Sequence, residues 1–264
     1  MSKKLIINGA AGRMGRRLMA LGAAMEGFEI VQAIDYAAHP QQGCPFREVE
    51  PSLELDLPLS AELSTDADVM IDFSIPASTA ARAAQAAAKG IALVIGTTGM
   101  DAEQLRAVDK AAELVPVIHA SNYSLGVNLM IKLAGQMARI LGDEFNIEIT
   151  EAHHNRKADA PSGTALSLAK SVCEATGRDF PGDLVHGRQG RPGARGQREI
   201  GMHALRMGSV VGDHTVYFAS DFERMELTHR AETRDVFAIG ALHAALWLAG
   251  KKPGRYTMQD VLGC

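Results

Sequence analysis

The stretch "KKLIINGAAGRMG", residues 3–15, decides how the first half of the chain folds. A short apolar run ends at Asn8, and three glycines then follow at intervals of three residues. Glycine lets a backbone turn tightly and approach a bound phosphate. A helix expected over residues 14–25 would point free N–H groups at that anion. The stretch therefore predicts a strand, a phosphate-binding turn and a helix.

The glycine turn is followed by a second apolar strand that ends in an acid. Gly9, Gly12 and Gly15 form the turn, and "FEIVQAID", residues 28–35, ends at Asp35. An acid about 20 residues beyond such a turn bonds the ribose hydroxyls of a dinucleotide. Strand, turn, helix, second strand and terminal acid together favour a nicotinamide dinucleotide as the ligand.

The same acid bears on which nicotinamide cofactor is used. A carboxylate at Asp35 repels a phosphate on the ribose, so NADH is favoured over NADPH. Arg13 and Arg16 lie in the turn and could still receive that phosphate. We therefore expect NADH to be preferred, with NADPH as the alternative.

Composition excludes several classes of protein. The 264 residues carry a net charge of −4, whereas nucleic-acid and membrane-surface proteins use a basic face. The amino-terminal run turns polar at Asn8, too soon for a secretory signal, and no apolar run approaches the roughly 18 residues of a membrane helix. The three cysteines are scattered, without disulfide or metal spacing. We expect a cytoplasmic protein.

The first half of the chain alternates strands with helices. Apolar strands are expected within residues 67–74, 91–99 and 115–122, with helices between them, which is typical of a parallel sheet covered on both faces. Residues 36–58 are rich in proline and glycine and have no clear period, so we expect an irregular loop there.

The second half has a different pattern. After a helix over residues 125–141, residues 145–154 alternate apolar and polar side chains, as a half-exposed strand does. Three short alternating segments within residues 200–231 suit an antiparallel or mixed sheet with one helix-covered face. A last helix over residues 234–250 is expected to return to the first domain. The expected divisions of the chain are residues 1–124, 125–233 and 234–264.

Two more segments fall where predicted strands end. "GTTG", Gly96–Gly99, offers small residues and backbone donors suited to packing near a nicotinamide ring. "HASNY", His119–Tyr123, could serve the carboxamide of that ring. Doubly wound sheets bind their ligands at this edge, although each segment alone is also compatible with an ordinary turn.

The stretch "EAHHNRKADAPSGTAL", residues 151–166, is the richest in reactive side chains. It starts at the end of a strand and opens a helix at Ser162, a good N-cap residue. Gly163 and Thr164 would present N–H groups, and the threonine a hydroxyl, to a carboxylate or phosphate. Positive charge around the same anion would come from His154, Arg156 and Lys157. The substrate is therefore expected to be a small anionic carboxylic acid.

His153 or Lys157 could deliver a proton to a substrate that receives hydride from the cofactor. Two other chemistries are open to this stretch. His153 and His154 could bind a metal, but neighbours on a strand point to opposite faces, so we expect no metal. Lys157 could form a Schiff base in a lyase or aldolase, which would leave the dinucleotide turn without a purpose.

The sequence resembles the dihydrodipicolinate reductase family almost end to end. The segments that carry the resemblance are "NGAAGRMGR", "VMIDFSIP", "VIGTTG", "ASNYSLGVN", "EAHHNRKADAPSGTA", "VGDHTVYF" and "ALWLAGKKPGRYTMQDVL". The fifth of these is the most specific, whereas many enzymes share the glycine turn.

The resemblance implies a role for individual residues. It implies that His153 and Lys157 are catalytic and that His154, Gly163 and Thr164 bind the substrate. The implied cofactor contacts are Gly9, Ala10, Ala11, Gly12, Arg13, Met14, Asp35, Gly96, Thr97, Thr98, Ala120, Ser121, Asn122 and Tyr123.

The resemblance also implies a fold, an assembly and a reaction. The expected fold is a Rossmann-type doubly wound domain plus a smaller α+β domain with a mixed sheet that binds substrate and assembles a homotetramer. The expected reaction is NAD(P)H-dependent reduction of 4-hydroxy-tetrahydrodipicolinate. Tyr36 stands where family members that accept both cofactors often carry an arginine, which strengthens the expectation of NADH. A reductase of another small dicarboxylate and a catalytically silent nucleotide sensor are the alternatives.

Overall fold

The structure is a computed structural model that describes residues 2–264. By its internal contacts the chain forms two compact units. One holds the residues up to Ser124 together with Asp235–Gly263, and the other holds Leu125–Arg234 with Cys264. Each unit contains its own β-sheet.

The sheet of the first unit has seven strands, all parallel to their neighbours. Numbered along the whole chain, they are β1 (Lys3–Asn8), β2 (Phe28–Ile34), β3 (Leu59–Ser60), β4 (Val69–Asp72), β5 (Ala92–Ile95), β6 (Pro116–His119) and β12 (Gly254–Tyr256). Their order in the sheet is β12-β6-β5-β4-β1-β2-β3. The predicted doubly wound parallel sheet is confirmed.

Helices cover both faces of this sheet. They are α1 (Arg13–Ala24), α3 (Pro76–Ala88), α4 (Ala102–Ala112) and α7 (Asp235–Leu248), and the unit also contains the short helices α2 (Phe46–Val49) and α8 (Met258–Leu262). Helices α3 and α4 pack together against a core that includes Ile6, Met70 and Leu93, while α1 packs with α7. Burial on both faces explains why these strands are continuous apolar runs.

The second unit is built on a mixed five-stranded sheet, as the alternating segments predicted. Its elements are α5 (Leu125–Leu141), β7 (Asn146–His153), α6 (Gly163–Thr176), β8 (Leu184–His186), β9 (Ile200–Arg206), β10 (Asp213–Ala219) and β11 (Arg224–Arg230), with a short 3-10 helix over Gly142–Glu144. The strand order is β11-β10-β7-β9-β8. Strand β7 is antiparallel to β10 and parallel to β9.

One face of this second sheet is covered by helices. Ile147 and Ile149 of β7 are buried in a core shared with α5 and α6. The residues that alternate with them, Glu148 and Thr150, are half-buried on the other face. The alternation in the sequence therefore follows from a sheet that the helices of its own unit cover on one side only.

Some short elements were not predicted. The stretch expected to be an irregular loop, residues 36–58, contains helix α2, and its Phe46 and Val49 are buried. Strands β3, β8 and β12 and helix α8 were also missed, because two to five residues are too few to show a hydrophobic period. In residues 2–264 we find no helix with the length and apolar character needed to cross a bilayer.

Helix α7 makes a close contact that gives a prediction about stability. A Cβ atom added at Gly240 would lie 1.8 Å from the carbonyl oxygen of Tyr123, so Gly240→Ala forces helix α7 away from the backbone of Tyr123. We expect the free energy of unfolding, measured in urea, to fall by about 3 kcal/mol.

Gly22, on α1, is the matched control for this substitution. A Cβ at Gly22 meets no atom closer than 3.4 Å, and alanine improves helix propensity by about 1 kcal/mol. Gly22→Ala is therefore expected to keep or raise stability. Equal stability of the two variants would contradict the role given to the Gly240 contact.

Candidate functional site

The turn after β1 is closed so tightly that two of its positions exclude a side chain. Gly9 has a φ of 78°, and a Cβ on it would lie 2.6 Å from the carbonyl oxygen of Phe73. A Cβ on Gly15 would lie 2.0 Å from the oxygen of Gly9. The turn therefore brings β1, β4 and the first turn of α1 together through backbone contacts.

The amino end of α1 is open to a ligand. Its N-cap residue is Gly12, and no side chain caps the helix. Within residues 2–264, the N–H groups of Arg13 and Met14 donate to no acceptor. Uncapped N–H groups and the positive end of the helix dipole suit a bound phosphate.

A cavity of about 440 Å³ lies beside this turn. The residues that line it are Asn8, Gly9, Ala11, Gly12, Asp35, Tyr36, His39, Phe73, Ser74, Ile75 and Ser78. They lie at the carboxyl ends of β1, β2 and β4. From β1 the chain crosses to β2 on one side, and it later returns to form β4 on the other side of β1. This is the switch point at which doubly wound sheets bind their ligands.

Asp35 is held against the glycine turn. Its Oδ2 accepts the Ala11 N–H at 2.8 Å, and its Oδ1 accepts the Tyr36 N–H at 2.9 Å. Each carboxylate oxygen keeps a second lone pair for a ribose hydroxyl. The carboxylate can therefore bind a ribose hydroxyl while its bond to the Ala11 N–H holds the end of β2 against the turn.

The arginines of the turn differ from each other. Arg16 donates from Nε to the oxygen of Ala11 at 2.9 Å, and its guanidinium lies 3.8 Å from Glu50. Arg13 is exposed and does not line the cavity. Tyr36, which does line it, is 58% exposed, so its ring is available to a ligand at the cavity mouth.

The structure does not bring all the predicted cofactor residues into this cavity. Gly9, Ala11, Gly12 and Asp35 line it, whereas Ala10 is fully buried beneath the turn. Arg13 and Met14, in the first turn of α1, do not line it either. The other predicted contacts lie at the same edge of the sheet, after β5 and β6, and are Gly96, Thr97, Thr98, Ala120, Ser121, Asn122 and Tyr123.

Two of those residues have clear structural partners. The Thr97 hydroxyl accepts from the Ser74 N–H at 3.2 Å and from Thr79 at 2.8 Å, which ties the turn after β5 to the turn after β4. The buried Tyr123 hydroxyl donates to the carbonyl oxygen of Ile95 at 2.9 Å. Both side chains hold the edge of the sheet on which the cavity opens.

In the second unit, the stretch rich in reactive side chains is organised by a buried carboxylate. Glu151 is 1% exposed, and its Oε2 lies 2.6 Å from His153 Nδ1. Arg206 donates to both carboxylate oxygens, at 2.8 and 2.9 Å, and the Ser162 N–H donates at 3.1 Å. Since an ionised carboxylate only accepts, Nδ1 of His153 carries the proton and Nε2 is left for other partners.

The electrostatics keep this carboxylate charged. Burial alone raises the pKa of the Glu151 carboxyl, but hydrogen bonds from Arg206 and His153 outweigh burial and bring the pKa below its usual range. The buried Glu151 and the half-buried Arg206 thus form a bidentate ion pair, and His153 is hydrogen-bonded to its carboxylate.

A second histidine lies against the first. His214 is 3% exposed, and its ring centroid is 5.2 Å from that of His153. Burial, helped by the neighbouring His153, lowers the pKa of His214 to about 4, so this ring is neutral at physiological pH. Its Nε2 lies 3.1 Å from the hydroxyl of Ser162.

Ser162 caps helix α6, as predicted. Its hydroxyl oxygen accepts the Ala165 N–H at 3.2 Å. Gly163 and Thr164 therefore occupy the first two positions of α6, where N–H groups point out of the helix end. A Cβ on Gly163 would meet no atom within 4 Å, so the side of Gly163 on which a side chain would lie is open.

Lys157 and His154 complete the cluster. Lys157 Nζ lies 2.8 Å from the Asp159 carboxylate, and this hydrogen bond lowers the pKa of Asp159. Burial, followed by the positive charge of Arg156 and Arg234, lowers the pKa of His154. In the part of the chain that the structure describes, its Nδ1 is buried without a hydrogen-bond partner. A neutral imidazole with an unused nitrogen is suited to a ligand.

Metal coordination is not built into this cluster. Across residues 2–264, no three His, Cys, Asp or Glu side chains are grouped closely enough to hold a metal ion. The reactive groups assembled by the fold are a histidine, a lysine and a helix end.

Three partners of His153 were missed in the sequence. Glu151 is two residues from His153 on one strand, so both side chains lie on the same face, and this spacing could have indicated the pair. Arg206 is placed opposite His153 by the pairing of β9 with β7, and His214 comes from β10. Pairing between distant strands has no local signal in the sequence.

The ion pair gives a prediction about stability and pH. Glu151→Gln removes the charge that pairs with the half-buried Arg206, and we expect a loss of about 2 kcal/mol in the free energy of unfolding at pH 7. Because the folded pKa of Glu151 is depressed, the carboxylate stabilises the native state above its ordinary pKa of about 4.3 and loses this effect as the pH falls.

The deficit of Glu151→Gln against the wild type should therefore shrink below about pH 4, as measured by urea unfolding at several pH values. Glu144→Gln, at an exposed acid of the same unit, should leave stability unchanged at pH 7. A deficit that is the same at every pH would show that the charge of Glu151 is not what stabilises the unit.

Sequence profiles of known families match both halves of the chain. The profile described as "Dihydrodipicolinate reductase, N-terminus" matches residues 3–123, and the one described as "Dihydrodipicolinate reductase, C-terminus" matches residues 126–262. Together they cover almost the whole chain.

Two relatives that match over their full length carry the same name. The chain is 47% identical over 266 residues to "4-hydroxy-tetrahydrodipicolinate reductase" of Alkalilimnicola ehrlichii, covering 100% of both chains. It is 44% identical to the protein of the same name from Magnetococcus marinus, covering 100% of this chain and 99% of the relative.

Solved structures share the fold. A dipicolinate-bound dihydrodipicolinate reductase from Paenisporosarcina superposes with a TM-score of 0.76 at 24% identity, covering 98% of this chain and 99% of that one. Aspartate semialdehyde dehydrogenase II from Vibrio cholerae superposes with a TM-score of 0.55 at 11% identity, covering 96% and 100%. On the sequence profiles and the full-length relatives, the chain belongs to the dihydrodipicolinate reductase family.

Proposed function

We propose that this protein catalyses the NAD(P)H-dependent reduction of 4-hydroxy-tetrahydrodipicolinate to tetrahydrodipicolinate, a step of lysine and diaminopimelate biosynthesis. The observation that carries the proposal is the arrangement of residues 151–164, in which a carboxylate-bound histidine, a lysine and the amino end of a helix come from one segment. The names of the full-length relatives support the same reaction.

The first unit fits a nicotinamide dinucleotide. The turn at Gly9 and Gly15 leaves no room for side chains, the amino end of α1 is uncapped, and Asp35 faces the cavity beside it. We assign the pyrophosphate to the backbone of residues 9–14 and the ribose hydroxyls to Asp35. When bound, the nicotinamide supplies the hydride.

The second unit supplies the proton and holds the substrate. The two compounds differ by one hydroxyl group, so the reaction adds a hydride and a proton and releases water. We assign the proton transfer to Nε2 of His153, which takes up the proton that it then passes to the substrate, since Nδ1 keeps its own proton in the bond to Glu151. Lys157 polarises or protonates the ring. Gly163 and Thr164 hold a substrate carboxylate at the start of α6, and His154 adds a further contact.

The cofactor preferred is NADH. Asp35 brings a negative charge to the cavity where the phosphate of NADPH would lie, and Tyr36 supplies no compensating charge. We assign residues 1–124 to dinucleotide binding, residues 125–233 to substrate binding and assembly, and residues 234–264 to a segment that completes the first domain.

The reaction is tested by following NADH and NADPH oxidation with substrate made in situ from pyruvate and aspartate semialdehyde. His153→Ala should lower kcat by a factor of about 10² to 10⁴, because the proton donor is lost. NADH binding, measured by fluorescence, should stay unchanged. His186→Ala, at an exposed histidine, is the control and should keep full activity.

Two outcomes would overturn parts of this assignment. Full activity of His153→Ala would remove His153 from the mechanism. A folded wild-type protein that binds NADH and oxidises none would favour a reductase of another dicarboxylate or a nucleotide sensor.

We also propose that four copies assemble through the sheet face that α5 and α6 leave uncovered. On this face lie Glu148, Thr150 and Tyr217, and Leu205 is 47% exposed there. Tyr217→Glu should lower the molar mass measured by light scattering from that of a tetramer. Lys170→Glu, on an exposed position of α6, should not. A wild-type mass equal to one chain would contradict the assembly.

A further inference from the structure

The dinucleotide cavity contains an ionisable side chain to which the proposed function gives no role. His39 lines the cavity together with Asp35 and Tyr36. Among the lining residues that the structure describes, Asp35 is the one acid, and His39 is the one side chain that can become a cation. The charge of the cavity therefore changes when a single ring gains or loses a proton.

The backbone of the turn after β2 holds this ring in place. The His39 N–H donates to the oxygen of Tyr36 at 3.0 Å, and the Gln42 N–H donates to the oxygen of His39 at 3.0 Å. The Gln42 side chain also donates to the oxygen of Tyr36 at 2.8 Å. The rings of Tyr36 and His39 meet edge to face, with centroids 5.3 Å apart.

The hydrogen bonds also define the tautomer. The Gln41 N–H donates to His39 Nδ1 at 3.2 Å, so the neutral ring carries its proton on Nε2. A second proton goes to Nδ1, and the bond from Gln41 is then given up.

Other charged groups near the turn are already engaged or lie outside the cavity. Arg16 bonds the oxygen of Ala11 and faces Glu50, and Arg13 is exposed away from the lining. Asp35 is thus the one charged group that shares the cavity with His39.

We propose that His39 determines the discrimination between NADH and NADPH, and that it makes this discrimination depend on pH. The inference rests on the proposed function. With a neutral ring, Asp35 repels the ribose phosphate of NADPH, and NADH binds better. With a protonated ring, His39 offsets the charge of Asp35 and donates a charge-assisted hydrogen bond to the phosphate.

The test is a fluorescence titration that measures Kd for NADH and for NADPH at about pH 8 and about pH 6.5. For the wild type, the ratio of Kd for NADPH to Kd for NADH should fall by about fivefold on acidification. His39→Gln keeps a polar side chain but cannot become a cation, and its ratio should change by less than about twofold. A phosphate itself gains a proton near pH 6, and comparison with His39→Gln removes that contribution.

Two further variants complete the test. His243→Gln, at an exposed histidine of α7, should behave as the wild type does. His39→Arg should bind NADPH better than the wild type at both pH values, because its charge is permanent.

A fivefold shift that survives in His39→Gln would overturn the role of His39 while leaving the proposed function intact. So would an unchanged NADPH affinity in His39→Arg. A wild-type protein that binds neither nucleotide would overturn the proposed function and this inference with it.

Discussion

The central constraint in the first unit is the parallel pairing of β1 with β2 on one side and β4 on the other. Connections from the carboxyl ends of these strands run in opposite directions, and the space between them cannot be filled by either connection. The glycine turn, the acid that ends β2 and the turn after β4 all meet at that space. The cavity is therefore a consequence of strand order, and the side chains only adjust its shape and charge.

The second unit depends on a different interaction, the ion pair between the buried Glu151 and the half-buried Arg206. A buried ion pair adds little net stability over an apolar pair, but removing one partner leaves an uncompensated charge. The pair fixes the end of β7 against β9 and, through the Ser162 N–H, the start of α6. The same carboxylate orients His153, so the fold of this unit and its proposed chemistry rely on one group.

Much of this organisation could be predicted from local sequence. The glycine turn, the strand ending at Asp35 and the N-cap at Ser162 each combine residue type and spacing, because the backbone geometry there permits few alternatives. Helix α5 was predicted at its observed bounds, since seventeen residues show a clear period.

The rest required contacts between distant parts of the chain. Arg206 and His214 reach His153 only through the register of β9 and β10, which no short segment encodes. The cavity position of His39 depends on a turn closed by Gln41 and Gln42 within a stretch that has no period. Sequence patterns therefore predicted the elements and the main reactive residues, whereas their partners needed the fold.

The path of the chain has a consequence for its synthesis. Helix α7 packs on β4, β5 and β6, and β12 pairs with β6, so the first unit takes its last elements from residues made after the second unit. On a ribosome, the second unit is complete while the nucleotide-binding sheet still lacks a helix and an edge strand. The first unit, whose synthesis begins first, must therefore finish folding last. A chain that ended near Arg234 would leave the core of the first unit open to water.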